Sequence, residues 1–512
     1  MKQKKELRIH PALIFLLLTI LVMVISSVGN ILNIETSYYS VNVRTGDLEN
    51  HVVHINSLFN RSGIQYLISN MVSNFITFAP LGNLIVGLLG VGVAYKSGFL
   101  NSLFKMIADS RIPRKLITFI IVLLGIISSM FLEVGYVILI PLSAILFKNL
   151  GRHPSAGICA AFAGVTFGYG ANIIMNGLDS TLLEYTRMAT SVLDQTYTIN
   201  SSGNLFFMIV STLLLAYLGT FITERFIILK LGKYTFTEED EIKETITTKE
   251  KKGVIIAILA VIFILLILAY CLIPGLPFSG LLLDLSASGY VNQLFGSGSY
   301  FSQGVVFISG CLLVLAGLVY GLRVKTIRSN RDLVDGMNYY LKDISSILVL
   351  IFFAAQFCMI FRETNIGVFL VATFTELLSN LNLTGLLLVI VTFIIVVISS
   401  FFVPAASTKW AIMAPIVVPM FMQSSLSPEF AQAVFRAGDS AVKGISPLFT
   451  YFVILIGFLQ IYANNKKKTV TITDAMSLMV PYTIGFSLLW LLIVIGFYII
   501  GIPIGPGVGV ML

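Results

Sequence analysis

Charge is what this sequence has least of. Asp, Glu, Lys and Arg make up 11% of its 512 residues, against about a quarter in soluble domains. That scarcity excludes an ordinary soluble fold. Cysteines are few as well. Cys159, Cys271, Cys311 and Cys358 fall in or beside apolar runs without paired spacing. They read as small buried hydrophobes, not as disulfides or metal ligands. Histidine is equally sparse, and His51 and His54, which would share one face of a helix, are a weak basis for a metal site. The chain has no HExxH, no Walker A pattern and no soluble stretch large enough for an ATPase. Its net charge of +8 sits in short loops between apolar runs, so it is not a nucleic-acid signal.

What is abundant is apolar: 57% of residues are hydrophobic. Runs of about 18 or more apolar residues, each able to span a bilayer, recur along the whole length. The chain therefore reads as an all-α polytopic membrane protein. Its start, "MKQKKELRIHPALIFLLLTILVMVISSVGN", lacks a small-residue cleavage site, and an uncleaved first span is expected.

Lys and Arg mark cytoplasmic loops. They cluster at Lys2–Arg8, Lys105–Lys115, Lys148–Arg152, Arg225–Lys252, Arg323–Lys342 and Lys466–Lys468, whereas the intervening loops hold only Arg44 and Arg61. Threading spans between these clusters puts the N-terminus in the cytoplasm and the C-terminus outside. Spans are expected near 11–33, 64–98, 154–187, 204–225, 253–273, 301–322, 344–372, 429–462 and 476–500. The run 115–148 has basic loops at both ends and the run 386–424 has none at either. Each must return to the side it entered from, so each reads as a re-entrant hairpin, and the two enter from opposite sides. The order before span 5 is repeated after it, inverted. Residues 1–226 form the first repeat, 227–300 the linker with span 5, and 301–512 the second repeat. Inverted repeats with interrupted helices are the architecture of secondary transporters. Ordinary helix pairs are the plainer alternative, but they would put the basic loops on the wrong side.

The hairpin tips, "SSMFLEVGY" and "SSFFVPAASTKW", then lie near the membrane midplane. Irregular backbone is tolerated there only beside protein or a watery cavity. Arg362, Lys409, Arg436 and Lys443 fall inside spans or hairpins, as do Glu133, Asp179 and Asp439. A central charge costs about 2.5–3.5 kcal/mol, so these groups must pair or face a cavity. Arg436 and Asp439, three apart, share a helix face and are expected to pair. Lys443, one turn further, is a second partner for Asp439. The glycines of "GYGANIIMNGLDS" are expected to break span 3 before Asp179. The carbonyls they free, with Asn172, would suit Na⁺; tight helix packing on glycine is the alternative. Trp410 at the second tip reads as a platform for a substrate ring, or as an interfacial anchor. Glu133 at the first tip reads as a proton carrier or as a turn residue.

Taken together, "FAPLG", "GRHPSAGICAAFAG", "STKWAIMAPIVVPMFM", "SPEFAQAVFRAGDS", "LMVPY" and "GIPIGPG" resemble the AbgT family of p-aminobenzoyl-glutamate transporters, in the same order from about residue 12 to 507. The resemblance implies a homodimer of nine-span, two-hairpin protomers that work by elevator motion in a cell membrane. It implies substrate-site roles for Asp179, Ser407, Trp410, Pro428, Arg436 and Asp439. It also implies uptake of p-aminobenzoyl-glutamate or export of sulfonamides, driven by an ion gradient. Lys409 or Arg436 would meet a carboxylate or sulfonyl oxygen. Many family members continue the Asp439 motif with a Thr-Asn pair, where this chain has Val442 and Lys443. An ammonium group at that point would stand in for Na⁺, leaving H⁺ as the coupling ion and Asp439, Lys443, Asp179, Asn172 and Glu133 as the ion-coupling candidates. No cofactor beyond a possible Na⁺ is implied. The rival readings are a dicarboxylate symporter of the same superfamily and, remotely, an intramembrane aspartyl protease using Asp179 and Asp439, for which "RAGD" lacks the first glycine of GxGD.

Overall fold

A computed structural model of the chain describes residues 9–41, 48–131, 133–236, 245–296, 298–342, 344–464 and 469–512. The basic clusters at Lys2–Arg8 and Lys466–Lys468, and Arg44, lie outside the described residues.

Proline at the first turn and a His10 side chain accepting from the Ala12 amide start α1 (Pro11–Ile31), as expected where the first amides lack helical partners. The next segment, read from sequence as a loop, is an antiparallel hairpin of β1 (Glu35–Val41) and β2 (Leu48–His54), with Glu35 opposite His54. This hairpin is a small addition to a chain that is otherwise helical among the described residues, as expected. Thr, Tyr and Val in β1 and the two valines of β2 are good strand formers, but an isolated two-stranded unit gives a weak pattern. His51 and His54 are three apart on a strand, so they point to opposite faces and share no helical face. Each meets a glutamate instead, Glu49 at 3.5 Å and Glu35 at 3.0 Å.

α2 (Arg61–Ile76) and α3 (Ala79–Lys96) form one long apolar stretch. α4 (Phe99–Ala108) leads to α5 (Arg114–Ser128), then a π turn at Gly135–Leu139 and α6 (Ile140–Asn149). α7 (Pro154–Phe167) and α8 (Gly177–Ser191) follow, separated by the glycine-rich break. α9 (Leu205–Ile222) passes through a second π turn into α10 (Ile228–Leu231). α11 (Thr248–Cys271) starts on a capping box between Thr247 and Glu250. Its Ile255, Leu259, Phe263 and Leu266 are exposed, as befits a face against hydrocarbon. After α12 (Tyr290–Phe295), α13 (Tyr300–Val324) and α14 (Asn330–Leu341) come α15 (Ile344–Glu363) and α16 (Ile366–Asn380). The chain closes with α17 (Gly385–Phe402), α18 (Ala406–Gln423), α19 (Pro428–Ser440), α20 (Phe452–Ile461) and α21 (Ile472–Ile500).

Among the described residues, eight helical stretches are long and apolar enough to cross a membrane, or nine if the bent pair α15–α16 is one span. The expected number was nine, but its membership differs. α5 together with the short turn that extends it to Phe131, and α17, both expected as hairpin arms, are long enough to count. The expected spans 154–187 and 429–462 are each broken into shorter helices. The span expected at 344–372 bends by 51° and runs on to Asn380.

Helix pairing repeats along the chain. α5 packs on α7 and α9 as α17 packs on α19 and α21, and α6 packs on α7 as α18 packs on α19. A second group holds α3 against α13 and α14, α11 against α13, and α1 against α15.

Candidate functional site

Two interrupted helix pairs, α7–α8 and α19–α20, meet in the first helix group. α7 stops at Phe167, and α8 starts at Gly177. Facing that break, α19 ends at Ser440 and α20 begins only at Phe452. Glycine is required where the breaks touch. A Cβ on Gly170 would stand 2.6 Å from the Arg436 carbonyl oxygen and 2.7 Å from the Ser440 hydroxyl, and one on Gly444 would collide with the Phe167 ring. α21 satisfies carbonyls that the breaks leave without helical partners. Trp490 Nε1 donates to the Phe167 carbonyl at 3.0 Å, and the Ser487 hydroxyl donates to the Ala441 carbonyl at 3.1 Å.

The charges are organised by these breaks. Asn176 caps α8, its side chain accepting from the Leu178 and Asp179 amides, while Asp179 Oδ2 accepts from the Asn176 amide at 2.8 Å. The other carboxylate oxygen of Asp179 pairs with Arg436 of α19. Arg436 Nε donates to the Gly170 carbonyl at 3.1 Å. The expected Arg436–Asp439 pair is therefore not formed. Arg436 turns to the other helix pair, and Asp439 lies between two ammonium groups, Lys409 of α18 and Lys443, the latter at 2.5 Å. Lys409 also donates to the Ser400 hydroxyl at 2.5 Å, tying α18 to α17. Lys443 stands over the Tyr169 ring, 4.6 Å from its centre. Three cations and two carboxylates leave this cluster one positive charge in excess.

Beside the cluster is a cavity of about 790 Å³, lined by Ser407, Lys443, Glu133, Tyr136, Tyr169 and Tyr451 among others. It reaches exposed residues at Asn56, Arg362 and Glu363. Of the residues singled out from sequence, Ser407, Lys443, Glu133 and Arg362 line it; Asp179, Asn172, Lys409, Trp410, Pro428, Arg436 and Asp439 do not. Trp410 is fully buried. Its Nε1 donates to the Thr186 hydroxyl at 2.9 Å, which donates in turn to Gln432 Oε1 at 2.8 Å, and its ring packs on Phe435 at 4.5 Å. In this state it is a packed side chain and not an open platform. Asn172 Nδ2 donates to Ser129 Oγ of the first tip at 3.2 Å. Pro428 opens α19, eight residues and so about 12 Å from Arg436. The tyrosines are the residues that sequence reasoning missed. Tyr136 and Tyr169 sit inside "SSMFLEVGY" and "GYGAN", next to the positions that drew attention.

Residues 5–512 match the model of a family described as the AbgT putative transporter family. The chain belongs to the AbgT family. It is 31% identical over 503 residues to the p-aminobenzoyl-glutamate transport protein of Escherichia coli (strain K12), covering 98% of this chain and 94% of that one. Among solved structures it is similar to the YdaH transporter of Alcanivorax borkumensis, with 29% identity, a TM-score of 0.50 and coverage of 97% of this chain and 100% of that one. It is also similar to MtrF of Neisseria gonorrhoeae, described within a class of antimetabolite efflux pumps, with 34% identity, a TM-score of 0.50 and 98% of each chain covered.

As an AbgT family member, the chain is a multi-pass membrane transporter and not an enzyme. The site chemistry agrees with this. Asp179 and Asp439 are each neutralised by cations, whereas an aspartyl protease needs two carboxyl groups free to share a water. Among the described residues no three His, Cys, Asp or Glu side chains gather into a metal-binding group.

Proposed function

We propose that this protein is a secondary transporter for p-aminobenzoyl-glutamate and related aminobenzoyl anions or sulfonamides, driven by an ion gradient. The observation that carries the reading is a cationic cluster, rich in buried Lys and Arg, set beside a cavity walled by tyrosines. Cavities that enclose a small ligand run to about 300–1,000 Å³, and this one falls in that range. Ammonium and guanidinium groups suit carboxylate or sulfonyl oxygens, and aromatic walls suit the aminophenyl ring. In this reading Ser407, Lys409, Arg436, Asp179 and Asp439 hold the substrate region, Pro428 sets the start of α19, and Trp410 reaches the ring once α18 moves.

The wider arrangement belongs to the same proposal. Residues 1–226 and 301–512 are inverted repeats around the linker 227–300. The arms α5–α6 and α17–α18 are re-entrant hairpins that enter from opposite sides, and the first helix group rides against the second as an elevator within a homodimer in a lipid bilayer. The N-terminus is cytoplasmic and the C-terminus is outside. Na⁺ or H⁺ drives the cycle, with Asn172 a candidate Na⁺ ligand and Asp439, Lys443, Asp179 and Glu133 candidate proton carriers.

The test is the purified protein in liposomes, with pH and Na⁺ gradients imposed separately. p-Aminobenzoyl-glutamate flux is followed beside that of a plain dicarboxylate. Gradient-driven flux of the aminobenzoyl compound is expected. Flux of the dicarboxylate alone would replace this reading with the symporter alternative.

A further inference from the structure

The first tip carries a group that the charge cluster leaves unused. The Glu133 carbonyl accepts from the Tyr136 amide at 3.0 Å and the Val137 amide at 3.3 Å, which fixes the residue at the start of the π turn. Its side chain lines the cavity and interacts with the Tyr451 hydroxyl. That hydroxyl oxygen already accepts from Asn83 Nδ2 at 3.5 Å, so its proton is left to point at Glu133. The Tyr451 ring lies face to face on Tyr136, centroids 4.3 Å apart and planes 14° from parallel. Among the described residues lining the cavity, the other carboxylate is Glu363, which is exposed where the cavity opens.

Glu133 is thus an oriented acceptor at an aromatic wall. A carboxylate offers about four lone-pair sites, and the Tyr451 proton takes one of them. Lys443 lines the same cavity and supplies the opposite charge. A ligand with an anionic end and a neutral N–H donor on a ring matches both polar groups and the aromatic lining of the same cavity.

We infer that Glu133, oriented by Tyr451, accepts a hydrogen bond from the aromatic amine of the substrate and selects amine-bearing rings over rings that lack the group. This rests on the aminobenzoyl reading above and adds a specificity-determining residue to it. A site built to accept from an N–H binds an analogue without that donor less well, because its desolvated acceptor is then left unpaired.

The experiment compares two ligands on the purified full chain: p-aminobenzoyl-glutamate, and benzoyl-glutamate, which lacks only the amine. Binding is measured by calorimetry for the wild type, Glu133→Leu and Glu133→Gln. The wild type is expected to prefer the amine by about ten- to hundredfold, the range of a hydrogen bond to a charged group. Glu133→Leu should bring the two ligands within about threefold by weakening the amine-bearing one alone, and Glu133→Gln, which keeps a carbonyl acceptor, should fall between. An unchanged preference in Glu133→Leu, or equal losses for both ligands, would overturn the inference while leaving the aminobenzoyl reading intact. Failure of the wild type to bind p-aminobenzoyl-glutamate would overturn both. Should Glu133→Leu not yield folded protein, Tyr451→Phe serves instead, with a smaller loss of preference expected and an unchanged preference counting against the inference.

Discussion

At the scale of single residues, a buried charge must be judged by what it is left with when its partner goes. Arg436 and Asp179 are both fully buried and face one another across the two interrupted helix pairs. Removing either leaves an uncompensated ion, a change that typically costs about 3–5 kcal/mol. Arg436→Gln and Asp179→Asn are each expected to lower the unfolding midpoint in detergent markedly. The double variant should lose less than the sum of the two, because it strands no charge. A strictly additive double variant in a thermal-shift series would show that the two groups do not act as a pair. Trp410 is the second case. Its burial, its N–H bond to Thr186 and its packing on Phe435 make Trp410→Ala both a cavity and a lost bond. We expect that variant to lose transport and also stability, whereas Trp410→Phe, which keeps most of the ring volume, should stay folded. Flux retained by Trp410→Ala would remove the indole from the transport cycle.

Between elements, the sequence was most legible where glycine and charge act alone. The glycines of "GYGAN" announced the break between α7 and α8, and the basic loops placed α1, α9, α11, α13 and α21. The matching break between α19 and α20 was not foreseen, although "VKGISP" offers a glycine and a proline, because the apolar residues on either side read as one run. The partner of Arg436 was hidden for another reason. Spacing within a helix identifies neighbours on one face, but it cannot show that a second broken helix brings Asp179 and the Gly170 carbonyl closer. The Asn176–Asp179 capping box, at the spacing such boxes require, is the sign in the sequence of where the helix resumes after the break. The contact of the two breaks is itself testable. Gly170→Ala places a methyl against the Arg436 carbonyl. It should abolish transport while Gly496→Ala, at a position with open space around it, leaves flux near wild type. Normal flux in Gly170→Ala would mean that the breaks part more widely during transport than they do here.

On the scale of the whole molecule, the proposed cycle needs a fixed orientation and a coupling ion. Single cysteines at Lys249 and Lys467 are expected to label only from the cytoplasmic side and one at Ser202 only from outside; any other pattern breaks the expected topology and the inverted repeat with it. The coupling ion turns on Lys443. Its ammonium group holds Asp439 at 2.5 Å and lines the cavity, so it supplies a fixed positive charge beside that carboxylate. Lys409 compensates Asp439 from the other side, so the carboxylate keeps a cationic partner when Lys443 is replaced. In the proposed cycle, H⁺ and not Na⁺ drives the step at this site. Lys443→Asn removes the fixed charge and keeps an oxygen ligand beside Asp439. We expect wild-type flux in liposomes to follow an imposed pH gradient and to ignore Na⁺. The Lys443→Asn variant should lose much of the pH response and gain stimulation by Na⁺. A wild type that already requires Na⁺, with a variant of unchanged ion dependence, would reduce Lys443 to a neutralising partner of Asp439.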